Sequence, residues 1–365
     1  KTYSVLEFGR INYENVAYFN FETNPKLNRT FEENISPDYL IPILSHISGQ
    51  TIVKEKTLII FDEVQLCERA LTSLKYFCED APDYHIIVAG NLLGVAVNRA
   101  KFSFPVGKVD MKTMYPMDME EFMIAMGEEK LATQVRQCFE TNTAMPSALH
   151  DAAMQLYRQY LVVGSMPECV LQFAQTRDYI LIRNTQDTIL ASYLNDMSKY
   201  NNLNEIKKTR LAYDNITVQL SKKNARFQYK LIKKGGRASE FENAIEWLCL
   251  SGIVSQVYRI EQIKKPLENY RDIDAFKIYV SDLGLLCAKK DLVANDILYM
   301  AEELNDFKGG MAENYVNVQL SINGYHTYYW ESARGAEIDF VIQRNEQLIP
   351  IEVKSADNTR AKSLK

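Results

Sequence analysis

The first ninety residues alternate short apolar runs with stretches of helical spacing. Val16–Glu22 (VAYFNFE), Thr57–Val64 (TLIIFDEV) and His85–Gly90 (HIIVAG) are β-rich and bounded by polar turns. Short apolar runs of this kind predict parallel strands buried on both faces. Enough chain lies between them for crossover helices, and Ala70–Cys78 (ALTSLKYFC) has helical spacing. The alternation predicts a layered α/β domain built on a parallel sheet.

Downstream the period changes. Leu149, Ala153, Leu156, Tyr160 and Val163 fall three or four apart, Gly164–Val170 (GSMPECV) breaks the pattern, and Asp178–Met197 resumes it, which predicts an all-helical lid. Ile216–Leu220, Phe227–Ile232 and Phe241–Leu250 then predict two or three short helices. A strand at Gly252–Ile260 and a returning strand at Asn269–Val280 would give a helix-turn-helix with a β-wing. The last ninety residues predict a helix at Gly309–Ile322 and strands at His326–Glu331, Glu337–Gln343 and Gln347–Lys354, with a tight turn at Arg344–Glu346.

Composition narrows the class. With 365 residues, 47% hydrophobic and 24% charged, the chain suits two or three globular domains with ample core. No apolar run is long enough for a membrane helix. The first residue is not Met, so translation is expected to begin upstream, and no basic-then-apolar leader is present, which favours a cytoplasmic protein. The six cysteines are scattered, with no CxxC pair and no histidine at ligand spacing, so they read as reduced and packed rather than as a zinc site. The four histidines (His46, His85, His150, His326) lack carboxylate-paired spacing and read as packed or exposed, and Gly235-Gly236 reads as a turn before a helix.

The net charge of −5 argues against non-specific nucleic-acid binding by the whole surface. Residues 205–265, however, hold thirteen Lys/Arg against six Asp/Glu, so this segment carries +7 and the remainder −12. Lys222, Lys223, Arg226, Lys230, Lys233, Lys234 and Arg237 cluster around its second and third helices, with Phe227 and Tyr229 interleaved. Such a patch suits phosphate contact and hence DNA; a solvated face docking on an acidic domain is the other reading.

Two constellations carry chemistry. Lys1-Thr2 opens the chain before a helix-compatible stretch, and about sixty residues later an apolar strand ends in Asp62-Glu63. In a P-loop ATPase the GxxxxGK[ST] loop ends in such a Lys-Thr pair, so its glycines would precede Lys1. Lys1 and Thr2 would then bind the nucleotide phosphates. Thr2 and Asp62 would ligate Mg²⁺, and Glu63 would polarise the attacking water. Asn91, after the third strand, stands where a polar sensor would contact the γ-phosphate. As isolated features, Asp62-Glu63 could be an acidic turn and Asn91 a turn former.

The second constellation is Glu313 on a helix, Asp339 in a strand and Glu352-Val353-Lys354 in the strand after it. Alternation would aim Glu352 and Lys354 to one face, across a hairpin from Asp339. That order is the order of PD-(D/E)xK nucleases, with Glu313, Asp339 and Glu352 as Mg²⁺ ligands and Lys354 beside the phosphate or water. A surface Glu352–Lys354 pair and an inactive domain of this fold are the competing readings.

Residues 61–94 (FDEVQLCERALTSLKYFCEDAPDYHIIVAGNLLG), 104–122 (FPVGKVDMKTMYPMDMEEF), 160–170 (YLVVGSMPECV), 276–286 (FKIYVSDLGLL), 336–343 (AEIDFVIQ) and 348–355 (LIPIEVKS) together resemble a prokaryotic family of AAA+ ATPases. Its members carry a C-terminal domain assigned to the PD-(D/E)xK superfamily, and the resemblance spans essentially the whole chain. It implies an AAA+ P-loop domain at 1–145, a helical lid at 146–204, a winged helix at 205–275 and a nuclease-like domain at 276–365 that continues beyond the last residue. ATP and Mg²⁺ are the implied cofactors and DNA the implied partner, with no membrane; AAA+ rings leave a homo-oligomer open. Where members often have Gly-Arg, this chain has Gly107-Lys108, and a lysine cannot present the fork of an arginine finger. Arg99 is the substitute candidate. The expected function is Mg-dependent ATP hydrolysis coupled to DNA; the alternative is a nucleotide-dependent switch or scaffold for a protein partner, with an inactive nuclease-like domain.

Overall fold

The computed structural model describes residues 1–90, 107–199, 203–220, 226–301, 304–332 and 335–355. The chain divides into two units, Lys1–Met114 and Tyr115–Lys365.

In the first unit α1 (Thr2–Asn12), β1 (Asn15–Asn20), α2 (Leu27–Glu33), α3 (Pro37–Ser48), β2 (Thr57–Asp62), α4 (Glu68–Asp80) and β3 (His85–Val88) follow in order. The three strands form a parallel sheet in the order β1-β2-β3. Every residue of the middle strand β2 is buried, which is why its sequence is apolar throughout rather than alternating. Phe61 of β2 packs edge-on against Phe19, Phe21 and Phe31 with ring centroids 5.5–5.9 Å apart. Gly9 lets α1 lie close on the sheet, since a Cβ there would meet Val16 Cγ2 at 2.7 Å.

All three strands stop before the end of their apolar runs, at Asn20, Asp62 and Val88. β2 stops at Asp62 because Glu63 turns into the left-handed region, with φ of 52°. A single helical turn at Val64–Leu66 follows.

The second unit starts with α5 (Met119–Ala125), α6 (Glu129–Glu140), α7 (Ser147–Val163), α8 (Pro167–Thr176) and α9 (Tyr179–Lys199). The break expected at Gly164–Val170 is a sharp corner between α7 and α8. Gly164 has φ of 80°, and the buried Asp282 accepts from Ser165 N and Ser165 Oγ, both at 2.6 Å. Asp282 also accepts from Leu285 N at 2.6 Å, so it caps α13 (Leu283–Lys289) while holding the corner.

Next come α10 (Leu203–Leu220), α11 (Tyr229–Ile232), α12 (Ala238–Leu250), β4 (Val254–Ile260) and β5 (Arg271–Val280), and after α13 come α14 (Ala294–Leu298), α15 (Asn305–Ile322), β6 (Tyr328–Glu331), β7 (Glu337–Arg344) and β8 (Gln347–Ile351). β4 and β5 form the antiparallel hairpin that the sequence suggested. Yet β4 also pairs in parallel with β6, giving one five-stranded sheet in the order β5-β4-β6-β7-β8. The limit expected at residue 275 therefore falls inside β5. β8 ends at Ile351, three residues short of the expected Lys354, so Glu352 and Lys354 lie past the ladder and strand alternation does not orient them. Among the described residues no helix is long and apolar enough to cross a membrane.

Candidate functional site

In the first unit a buried strand delivers a carboxylate to the start of a helix. Asp62 ends β2 at 4% exposure, and its register neighbour on β1 is Asn20. A carboxylate at that depth needs donors. Thr2 Oγ1 donates to Asp62 Oδ2 at 2.9 Å from sixty residues away, Tyr18 OH donates to the same oxygen at 2.7 Å, and Glu63 N donates to Oδ1 at 3.0 Å. Burial and the bond to Asp62 raise the Tyr18 hydroxyl's pKa.

Thr2 is the first residue of α1, so the free amides of that helix and its positive dipole end face the same spot. Lys1 Nζ donates to Gly90 O, beyond β3, at 3.4 Å. Glu63 is half-buried, and burial is the main cause of its raised pKa, with the Asp62 charge adding to it and a hydrogen bond from Gln65 Nε2 opposing it. Gln65 packs against Gly90 so closely that a Cβ there would stand 2.2 Å from Gln65 Oε1. The structure thus brings Lys1, Thr2, Asp62 and Glu63 together. Asn91 and Arg99 lie outside the described residues. Lys108 pairs with Glu79 at 3.1 Å. Tyr18 and Gln65 were not singled out in the sequence; the only signal was a tyrosine two residues before the end of the neighbouring strand and a polar side chain within an otherwise apolar turn.

The basic segment is exposed where it is described. Arg226, Lys230, Lys233, Lys234 and Arg237 all face solvent, with Lys233 held by Glu240 at 2.8 Å. Lys230 sits on α11, Lys233, Lys234 and Arg237 on the turn before α12, and Arg226 ahead of α11 in an isolated bridge to Lys277. The outward face of α12 is instead acidic, with Glu242 and Glu246 exposed. Lys222 and Lys223 lie outside the described residues.

In the second unit Glu313, Asp339, Glu352 and Lys354 do converge, and Glu313 and Asp339 also meet a residue that was not foreseen. Lys277 on β5 is buried to 2% exposure, and its Nζ lies 2.5 Å from Glu337 Oε1, 3.4 Å from Glu313 Oε2 and 4.0 Å from Asp339 Oδ1. The Tyr329 ring centroid is 5.2 Å from the same nitrogen. Tyr279 OH donates to Glu313 Oε2 at 2.9 Å. Burial works against the ammonium, but the Glu313 and Glu337 charges outweigh it, and the pKa of Lys277 rises.

Asp339 Oδ2 accepts from Val353 N at 2.7 Å. Burial, then the Glu313 charge, pushes the Asp339 carboxyl up to about 6. Lys354 pairs with Glu352, which raises its pKa. The signal for Lys277 was in the sequence: it is the one charge in the apolar run Ala275–Val280 (AFKIYV), and a buried strand does not tolerate an unpaired ammonium. Glu337 was equally visible, two residues before Asp339 on the same strand.

Comparison with known proteins gives the first unit a class. Residues 1–123 match the family of the AAA domain, residues 154–296 a domain of unknown function (DUF8612) and residues 308–365 a second domain of unknown function (DUF4143). Among solved structures, the Walker-type ATPase of Pyrococcus abyssi aligns over 76% of this chain and 84% of its own at 11% identity, with a TM-score of 0.44. No curated protein matches the chain. Residues 1–123 thus carry an AAA-type domain, and Lys1, Thr2, Asp62 and Glu63 lie within it.

Proposed function

We infer that the protein hydrolyses ATP at the meeting point of α1 and β2, with Lys1, Thr2, Asp62 and Glu63 as the working side chains. The observation that carries this reading is the 2.9 Å bond between Thr2 Oγ1 and Asp62 Oδ2, which joins a helix start to a strand end. These are hard oxygen donors of the kind Mg²⁺ selects, so the donor set fits that ion, with Thr2 and Asp62 as its protein ligands. When bound, Mg²⁺ supplies charge neutralisation on the phosphate oxygens.

The remaining roles belong to the chain. Lys1 and the free amides of α1 bind phosphate oxygens. Tyr18 fixes Asp62 in one orientation. Glu63 accepts the proton of the attacking water, and its partial burial makes it a stronger base than a solvated carboxylate. Gln65 restrains Glu63. Asn91 serves as the polar sensor of the γ-phosphate.

Hydrolysis is coupled in this reading to DNA, through phosphate contacts from Arg226, Lys230, Lys233, Lys234 and Arg237 with Lys222 and Lys223. The acidic outer face of α12 suits backbone contact by the preceding turn, not insertion of that helix into a groove. The same acidic face, with the Lys277 cluster, favours a second reading: a nucleotide-dependent switch that binds a protein partner and whose C-terminal domain does not cleave.

ATP turnover across a titration of short duplex DNA, at several salt concentrations, separates the two. Coupling predicts stimulation that weakens as salt rises, because DNA affinity falls by roughly 10²–10³-fold between 50 and 200 mM for about five phosphate contacts. Turnover indifferent to DNA at every salt concentration selects the switch. No Mg-dependent turnover at all, with or without DNA, contradicts the ATPase reading itself.

A further inference from the structure

The cation that the C-terminal carboxylates need is already present in the chain. Glu313, Glu337 and Asp339 come from α15 and β7, and all three point at one buried nitrogen, 2.5–4.0 Å away. β5 and β7 are separated in the sheet by β4 and β6. At a strand spacing of about 4.8 Å their backbones stand about 14 Å apart, so Lys277 and Glu337 must both extend to meet over Tyr329. Nothing about a hairpin strand on the far side of the sheet requires that reach. It is explained by the carboxylates, whose mutual repulsion at this depth would otherwise be uncompensated.

An oxygen-ligated divalent ion would sit at about 2.0–2.6 Å from the same oxygens. The ammonium and such an ion cannot share that centre, being like charges. Among the described residues, moreover, no group of three or more His, Cys, Asp or Glu side chains is placed to hold a metal ion. The donor set therefore does not fit a divalent ion with Lys277 in place. Glu352 and Lys354, which sequence spacing assigned to the same centre, pair with one another past the end of β8, on the side of Asp339 where the Glu352 charge still acts, and neither touches Lys277 among the contacts described.

We propose that Lys277 is the built-in cation of this carboxylate cluster, taking the position a divalent metal would occupy, so that the C-terminal part of the chain is a metal-independent, non-cleaving module. The idea concerns the second unit alone and stands or falls apart from the ATPase reading.

The test is equilibrium dialysis of the intact protein against Mn²⁺, in an Asp62→Ala background so that the first unit's carboxylate is out of play. Lys277 in place predicts no stoichiometric uptake at about 100 μM Mn²⁺, the lower end of the range in which weak oxygen-ligated Ca²⁺ sites fill. Lys277→Met predicts about one Mn²⁺ per chain, removed again by adding Glu313→Gln, and a thermal midpoint raised by Mn²⁺. The proposal is overturned by one Mn²⁺ per chain with Lys277 intact that is lost on Glu313→Gln, and equally by a folded Lys277→Met that binds no Mn²⁺ and melts where the parent does. If Lys277→Met does not fold, two measurements on the chain with Lys277 intact decide. They are its Mn²⁺ uptake and the resistance of Lys277 to reductive methylation, read by mass spectrometry: free methylation at the rate of surface lysines contradicts the burial on which the proposal rests.

Discussion

Asp62 and Asp339 are both buried carboxylates at sheet positions, 4% and 9% exposed, and their surroundings differ in kind. Asp62 is satisfied by neutral donors, the hydroxyls of Thr2 and Tyr18 and the amide of Glu63. Those bonds complete its hydrogen bonding but leave its charge uncancelled, beside a second carboxylate on Glu63. Asp339 has carboxylate neighbours in Glu313 and Glu352, and the ammonium of Lys277 sits among Glu313, Glu337 and Asp339. The difference teaches which centre calls for a cation from outside. In the proposed function the first takes one beside a helix start; the second already holds an ammonium among its carboxylates.

Four substitutions break or sharpen that contrast, and the largest effect falls on the Lys277 cluster. Lys277→Met leaves three carboxylates without their shared counter-charge, so it should destabilise the protein by about 3–5 kcal/mol in denaturant unfolding. Adding Glu337→Gln to that variant should return part of the loss. A loss under about 1 kcal/mol would mean that the cluster is solvated and the contrast false.

Asp282→Ala comes next. Like Asp62, Asp282 is satisfied by neutral donors alone, and its removal leaves the buried amides of Ser165 and Leu285 unpaired. The expected cost is about 2–3 kcal/mol, read from the same unfolding curves.

Asp339→Asn has the opposite sign. The Asp339 carboxyl titrates at about 6 when folded, above its ordinary value, so the folded state binds that proton more tightly than the unfolded state does. Its charged form thus costs stability above pH 6; the cost shrinks as pH falls through 6 and is gone below the unfolded value near 4. The amide should stabilise the protein by about 1–3 kcal/mol at pH 7.5, and the gain should vanish by pH 4. Equal stability of variant and parent at both pH values would contradict the crowding of charge.

The smallest effect belongs to Tyr18→Phe. It deletes one of three donors to Asp62 and leaves the others, so a loss of about 0.5–1.5 kcal/mol is expected. A larger fall in ATP turnover than in stability would make Tyr18 a positioning residue for Asp62.

Local pattern made the first unit legible because its strands are short apolar runs and its carboxylates follow one of them directly. Thr57–Asp62 and Asp62-Glu63 could be read from the sequence alone, and the proximity of Thr2 followed from a known loop chemistry. The second unit was less legible because its decisive pairing is non-local. The parallel contact of β4 with β6 joins Tyr258 to Tyr328, seventy residues apart, and no periodicity announces it. That pairing merges the expected wing with the C-terminal strands. It also spreads over the sheet the two strands, β5 and β7, from which Lys277 and its partners reach one another. For Glu352 and Lys354 only the orienting argument changes: alternation holds only while the ladder lasts, and β8 ends at Ile351.

ATP turnover and ATP affinity, measured side by side on the intact protein and on Glu63→Gln with Mg²⁺ present, test the central claim most directly. With Glu63 as the base, the amide should lower turnover by about 10²–10⁴-fold and leave affinity nearly unchanged. Turnover within about twofold of the parent, or a loss of affinity that accounts for the whole fall in rate, would contradict it.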